Sequence, residues 1–299
     1  MNLPRDIFEV IRQRRTTNGY FLDRPLSDEH IKMMLEAASF APSHFNSQPW
    51  RFVLIRDEKR RKELGRIAGQ SMRVVMEKGD FWRRYLRYFR FSKEEIEKTG
   101  DGIYIDNMPA PLRPFIRYLF SEKGSEMMNK LRVPWILAID SKKLVSSSPL
   151  ILGVLLSKDE YKPEEKSGMY CLLALGMAIE NIWLAATALG IGVQFISLPM
   201  EAGGEYWQKC IEMVAPPPDY ELIALFRLGY INPDAKRPVI DWTSTQRKDV
   251  SQFCFAETFG HPWHPKLDSV APLAEHASGR ESLQAATDKS AGDKATLTE

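Results

Sequence analysis

Apolar positions along this chain fall into helical spacing in some segments and short unbroken runs in others. Ile7, Phe8 and Ile11 form one side of a short basic helix over residues 5–15, and Asn18-Gly19 makes a turn after it. Ser27-Asp28-Glu29 opens a second helix whose Ile31, Met34, Leu35 and Ala38 recur every three or four positions, and Pro42 stops it. Trp50–Ile55 is aromatic and β-branched and predicts a strand; Asp57 starts a charged helix reaching into the seventies. Two later apolar runs, 133–139 and 150–156, compete to be the next core strand, and pattern alone does not choose between them. A long apolar helix is predicted over Met169–Leu189, ended by Gly190-Ile191-Gly192. Strands over 193–197 and 222–228 flank a short helix at 206–213 and the stiff Pro216-Pro217-Pro218 connector.

The stretch from 79 to 144 interrupts this order and reads as an insertion. On a helical wheel Phe81, Trp82, Tyr85, Tyr88 and Phe89 share one side, while Arg83, Arg84, Arg87 and Arg90 take the other. Such segregation favours an amphipathic helix that packs its rings inward over a nucleic-acid or membrane surface. A loop follows over 100–114 and a helix over 115–131. Beyond about Lys266 large apolar residues almost vanish, which predicts a disordered tail over 266–299.

Composition narrows the class. With 299 residues, 44% of them hydrophobic, 27% charged and a net charge of +2, the chain has enough apolar material for a large core and no general attraction to polyanions. The expectation is no nucleic-acid partner and no membrane span: Glu180-Asn181 sits at the centre of the 169–189 run, so that helix is expected to be buried within or between subunits. Cys171, Cys210 and Cys254 are widely spaced and odd in number. They are expected to be reduced thiols of a cytoplasmic protein, and the first residues lack the apolar stretch of a signal peptide. His261 and His264 have no third ligand near them in sequence, so no metal is expected.

Three polar sets remain. Arg14-Arg15-Thr16-Thr17-Asn18 puts two guanidinium forks beside hydroxyls and an amide, a set suited to a phosphate. Ala41-Pro42-Ser43-His44-Phe45-Asn46-Ser47-Gln48-Pro49-Trp50 crowds directional hydrogen-bonding groups between prolines, which suits the edge of a flat heteroaromatic ligand. Lys236-Arg237 is a second cationic pair following Gly229.

Together with Ala185–Gly192 and Gly229-Tyr230, these sets resemble the FMN-dependent nitroreductase-like flavoproteins over about residues 7–238, apart from 79–144. Thr16 stands where serine is usual, and Asn18 where a cation is usual. The resemblance implies an α+β three-layer sandwich, with a central mainly antiparallel sheet flanked by helices, in an intertwined homodimer; the domain would span residues 1–265. It implies that Arg14, Arg15, Lys236 and Arg237 bind the FMN phosphate and ribityl end, with Thr16 and Asn18 near the flavin's polar edge. Pro42, Ser43, His44, Asn46 and Gln48 would belong to the same site, with Pro42, Ser43 and Asn46 coming from the partner subunit. Ile196, Ser197 and Leu198 would lie along the ring, and the chain after Lys236 would reach across the partner.

The activity implied is ping-pong electron transfer from NAD(P)H through FMN to a nitroaromatic, quinone or other electron-poor small aromatic substrate. A reductive dehalogenase, a flavin-cleaving enzyme and a flavin-binding protein without turnover are the alternatives. His44 is a candidate proton donor. Phe81, Trp82 and Tyr85 are candidates for a substrate lid, because insertions between core elements often cover pockets.

Overall fold

The structure, a computed structural model, describes residues 6–79, 84–104, 115, 118, 121–235 and 246–264. These fall into two compact units, one ending at Arg247 and one starting at Lys248. In the second, Asp249 caps a 3-10 turn over Val250–Gln252, and the Phe255 and Phe259 rings meet at 4.4 Å. The first holds α1 (Ile7–Gln13), α2 (Asp28–Ser39), β1 (Trp50–Ile55), α3 (Glu58–Lys78), β2 (Phe89–Arg90), α4 (Lys93–Thr99), β3 (Ile103–Tyr104) and α5 (Glu122–Lys130). It continues with α6 (Val133–Ser146), β4 (Leu150–Ser157), α7 (Lys166–Ala188), β5 (Ile191–Phe195), α8 (Leu198–Ala202), α9 (Gly204–Val214) and β6 (Tyr220–Tyr230).

Four strands form one antiparallel sheet in the order β1-β4-β6-β5, and helices cover both faces. Strand β4 explains the layering. Leu150, Leu152, Val154 and Leu156 point to a core made with α2 and α7, while Ile151 and Leu155 point to a core made with α3 and α9. A strand buried on both faces loses the apolar–polar alternation of a half-exposed one, which is why 150–157 reads as an unbroken apolar run. The result is the expected three-layer α+β sandwich.

The competing run at 133–139 is the start of helix α6. Pro134 lies in its first turn, where a missing N–H costs nothing, and Pro134, Ser141 and Val145 are buried at helical spacing. Gly65 and Gly69 of α3 let α6 approach closely: a Cβ on either would fall within 3 Å of Lys142 or Ala138 backbone. The last part of the segment read as an insertion is therefore built into a helical layer. The helix expected over 81–90 is also revised. Residues 81–83 lie outside the described residues, and Leu86–Tyr88 is a 3-10 turn leading into β2, where Phe89 is buried. The strand expected over 193–197 begins and ends two residues earlier, because Ile196 and Ser197 leave the sheet to enter α8. The stretch expected to be a tail, 266–299, lies outside the described residues.

After α1 the chain runs along the free edge of β5 and back over the sheet. Thr16 pairs with Val193, Thr17 N–H donates to the Val193 carbonyl at 3.1 Å, and Phe21 bridges to Ile231. This crossing requires glycine at two facing positions, Gly192 and Gly229, which pair in register. A Cβ on Gly192 would lie 2.4 Å from Thr17 Oγ1, and one on Gly229 would lie 2.5 Å from Phe21 Cβ. We expect Gly229→Ala to lower unfolding free energy by about 1–3 kcal/mol through overpacking. In a strand, alanine otherwise stabilises relative to glycine by restricting the unfolded chain. A urea titration that finds Gly229→Ala as stable as wild type would show that the Phe21 segment is not seated there.

Candidate cofactor site

The edge of β5 gathers most of the first predicted set. Arg14 closes α1, its guanidinium 3.6 Å from the Glu180 carboxylate and 5.0 Å from the centre of the Trp183 ring, both on α7. Arg15 donates to the backbone carbonyls of Arg12 and Arg14 at 2.6 and 2.7 Å. Partial burial, then the neighbouring charges of Arg247 and Arg14, lowers the Arg15 pKa. Like charges held this close favour the arrival of an anion, which relieves their repulsion. Arg247 belongs to this cationic group and was not singled out from the sequence.

Asn18 is buried, and its Oδ1 accepts a hydrogen bond from Gln194 Nε2 at 2.8 Å. Gln194 Oε1 accepts in turn from Arg227 Nε. Arg227 Nη2 donates to the carbonyls of Thr17 and Gly19 at 2.8 and 3.0 Å. Neither Gln194 nor Arg227 was expected from the sequence. The available signal was a lone arginine in the apolar run Leu222–Tyr230, where a charge is found only if something holds it.

Past β5, Ile196 is buried and its N–H donates to the Leu225 carbonyl at 2.8 Å, while Ser197 sits at the N-cap position of α8 without a side-chain capping bond. Glu201 of α8 accepts from Tyr85 Oη at 2.6 Å and from Arg84 at 2.8 Å. The hydrogen bond to this carboxylate, with burial second, raises the Tyr85 pKa and keeps the phenol a donor. Tyr85, from the predicted lid, is thus tied to the helix that begins at Leu198. Phe81, Trp82, Lys236 and Arg237 lie outside the described residues.

The polar loop braces itself. Ser43 Oγ accepts from the Gln48 N–H at 3.0 Å, and Asn46 Oδ1 accepts from Gln48 Nε2 at 3.1 Å. Phe45, Asn46 and Gln48 all have positive φ, an unusual backbone for side-chain-bearing residues. His44 stacks on Tyr170 of α7 with ring centres 4.9 Å apart, and Pro42 is exposed beside it. Along α7, Tyr170 and the Arg14 partners Glu180 and Trp183 are ten or more residues apart, roughly 15–20 Å at about 1.5 Å per residue. Within one chain, the loop and the arginines therefore stand at different levels of the same helix. Two hollows of about 210 and 500 Å³ lie elsewhere, around Arg24 and Arg61 and beside α2, and neither includes a predicted site residue.

Two observations fit a polar, anionic cofactor along β5. Trp183 Nε1, next to Arg14, is a buried donor with no partner among the described residues. The Asn18–Gln194 amide pair adds fixed hydrogen-bonding groups to the cations of Arg14 and Arg15. The donor set suits a phosphate at one end and a heteroaromatic edge at the other.

The nitroreductase family model matches residues 11–230. The chain is 30% identical over 232 residues to iodotyrosine deiodinase from Thermotoga neapolitana, covering 78% of this chain and 91% of that protein. It is 40% identical over 195 residues to 5,6-dimethylbenzimidazole synthase from Rhodospirillum rubrum, covering 65% and 70%. A 56-residue stretch is 48% identical to nitrobenzene nitroreductase from Ectopseudomonas oleovorans, but this spans only 19% of this chain and 24% of that protein. The fold superposes on a BluB-like flavoprotein from Clostridium difficile with a TM-score of 0.51, at 19% identity, over 85% of this chain and 100% of that one. The chain belongs to the nitroreductase family of FMN-dependent oxidoreductases.

Proposed function

We propose that this protein passes electrons from NAD(P)H through FMN to an electron-poor aromatic acceptor by a ping-pong mechanism, in a site shared by two copies of the chain. The observation that carries this reading is the line of groups along β5: Arg14 and Arg15 at one end, the buried Asn18–Gln194 pair next, then Ile196–Leu198. When bound, FMN supplies the hydride-accepting and electron-donating chemistry. The chain supplies position and charge. Arg14 and Arg15, with Lys236 and Arg237, hold the phosphate and ribityl end; Thr16 and Asn18 face the polar edge; Ile196, Ser197 and Leu198 line the ring. Relatives named nitrobenzene nitroreductase and iodotyrosine deiodinase support an aromatic acceptor without choosing one.

The second copy follows from what a single chain leaves uncovered. Helix α7 buries Cys171, Ala174, Leu175, Ala178, Ile182 and Ala186 against the sheet, yet exposes Met169, Tyr170, Leu172, Leu173 and Met177. Phe45 is 92% exposed on a loop braced in a strained conformation. A rigid exposed ring beside an apolar helix face suits insertion into a second copy. That arrangement brings Pro42, Ser43, His44, Asn46 and Gln48 of one chain to the β5 edge of the other. His44, exposed and stacked on Tyr170, is then placed to hold a proton at the shared site.

Sedimentation at micromolar concentration should find two chains per particle, and Leu173→Lys should dissociate them with loss of FMN. A folded monomer that retains FMN would contradict the shared site. Arg14→Ala should weaken FMN binding roughly ten- to a hundredfold, the loss of about 1.5–3 kcal/mol for a charged hydrogen bond. Titration of apoprotein with FMN measures this, and unchanged affinity would place the phosphate elsewhere. For the lid, Tyr85→Phe removes the hydrogen bond to Glu201, and Trp82→Ala removes a candidate stacking ring. Both should alter KM among aromatic acceptors while FMN affinity stays constant. Wild-type kinetics with every acceptor would exclude the 81–85 segment from substrate selection.

A further inference from the structure

Arg227 is the largest fully buried side chain among the described residues, 1% exposed, at the heart of the sheet beside Gln194 of β5. Its guanidinium lies over the Phe21 ring, 4.6 Å from the centre, and Nη1 has no hydrogen-bond partner among the described residues. Burial lowers its pKa to about 10, and the Tyr20–Asp140 pair, hydrogen-bonded at 2.7 Å, offsets part of this. A buried charge with an orphaned donor is a poor way to stabilise a strand; an apolar residue of similar volume commonly does so better.

What the guanidinium touches gives it another role. Nη2 holds the carbonyls of Thr17 and Gly19, the two residues on either side of Asn18. Nε holds Gln194, whose amide nitrogen donates to the Asn18 side-chain carbonyl. One side chain therefore sets both the backbone and the carboxamide of Asn18. The relay also fixes the sense of the amide: Asn18 Oδ1 is turned toward Gln194, so its nitrogen end points the other way.

We propose that Arg227 is a positioning residue for the flavin edge, holding Asn18 in one conformation and placing a positive charge behind it; this rests on the FMN reading above. The charge makes the edge a better site for a ring that gains negative charge on reduction. Two roles are thereby separated along β5. Arg14 and Arg15 select for the phosphate, and Arg227 acts on the ring through Gln194 and Asn18.

The test uses the full-length protein with Arg227→Met, which keeps bulk and removes the charge, and Gln194→Glu. The glutamate still accepts from Arg227 and neutralises it, but cannot donate to Asn18, so this variant is expected to fold even if Arg227→Met does not. Apoprotein affinities for FMN and for riboflavin, which lacks the phosphate, are measured together with the midpoint potential of bound FMN. Both variants should bind both flavins about tenfold more weakly. The FMN-to-riboflavin ratio should stay at the wild-type value, and the midpoint potential should fall. A loss confined to FMN would put Arg227 at the phosphate end and overturn the proposal. So would a folded variant with wild-type affinities and potential. Wild-type protein that binds neither flavin would instead refute the underlying FMN reading.

Discussion

The candidate site depends on one close approach, that of the segment after α1 to the paired glycines of β5 and β6. Without a Cβ at Gly192 and Gly229, Thr17 and Phe21 settle directly against the sheet. Arg227, on the same face as Gly229, then reaches the carbonyls of Thr17 and Gly19. Move that segment outward by the width of a methyl group and Asn18 loses Gln194, Thr16 loses Val193, and Arg14 leaves Trp183. Gly192 and Gly229 thus act on the candidate site indirectly, by letting the Thr17–Phe21 segment seat against the sheet.

Helix α7 contacts both polar sets, the His44 loop and Arg14. Its inner face is a regular core stripe against the sheet, while its outer face mixes apolar residues with Glu180, which pairs with Arg14. It is long and apolar enough to cross a membrane by composition, yet its inner residues are packed on β-strands and its mid-helix charge is used. The helix carries the His44 loop near its start and the Arg14 contacts near its end. In the dimer proposed above, opposite ends of two such helices would come together and each chain would supply what the other's site lacks.

Much of this was legible in the sequence because it is local. Helices α2 and α3 announce themselves by caps and spacing, and Ser27 and Asp57 do cap them, accepting from the N–H groups of His30 and Arg60. The Arg14–Asn18 and Ala41–Trp50 segments stood out because their polar density exceeds what a solvated turn requires. The choice between 133–139 and 150–156 was not legible, since a short apolar run is the same in a buried strand and a buried helix; Gly65 and Gly69, some seventy residues earlier, decide it by accepting α6. The Arg227 relay joins residues about two hundred positions apart, and Tyr85 meets Glu201 across 116. Neither leaves a periodic trace. A lone arginine in an apolar strand was the single available sign.

The most direct test of the account is the identity of what the purified protein carries. Heat or acid release of the bound chromophore, followed by separation of FMN from FAD and riboflavin, should yield FMN at one molecule per chain. A colourless protein that takes up no FMN when supplied with an excess, while remaining folded, would contradict it.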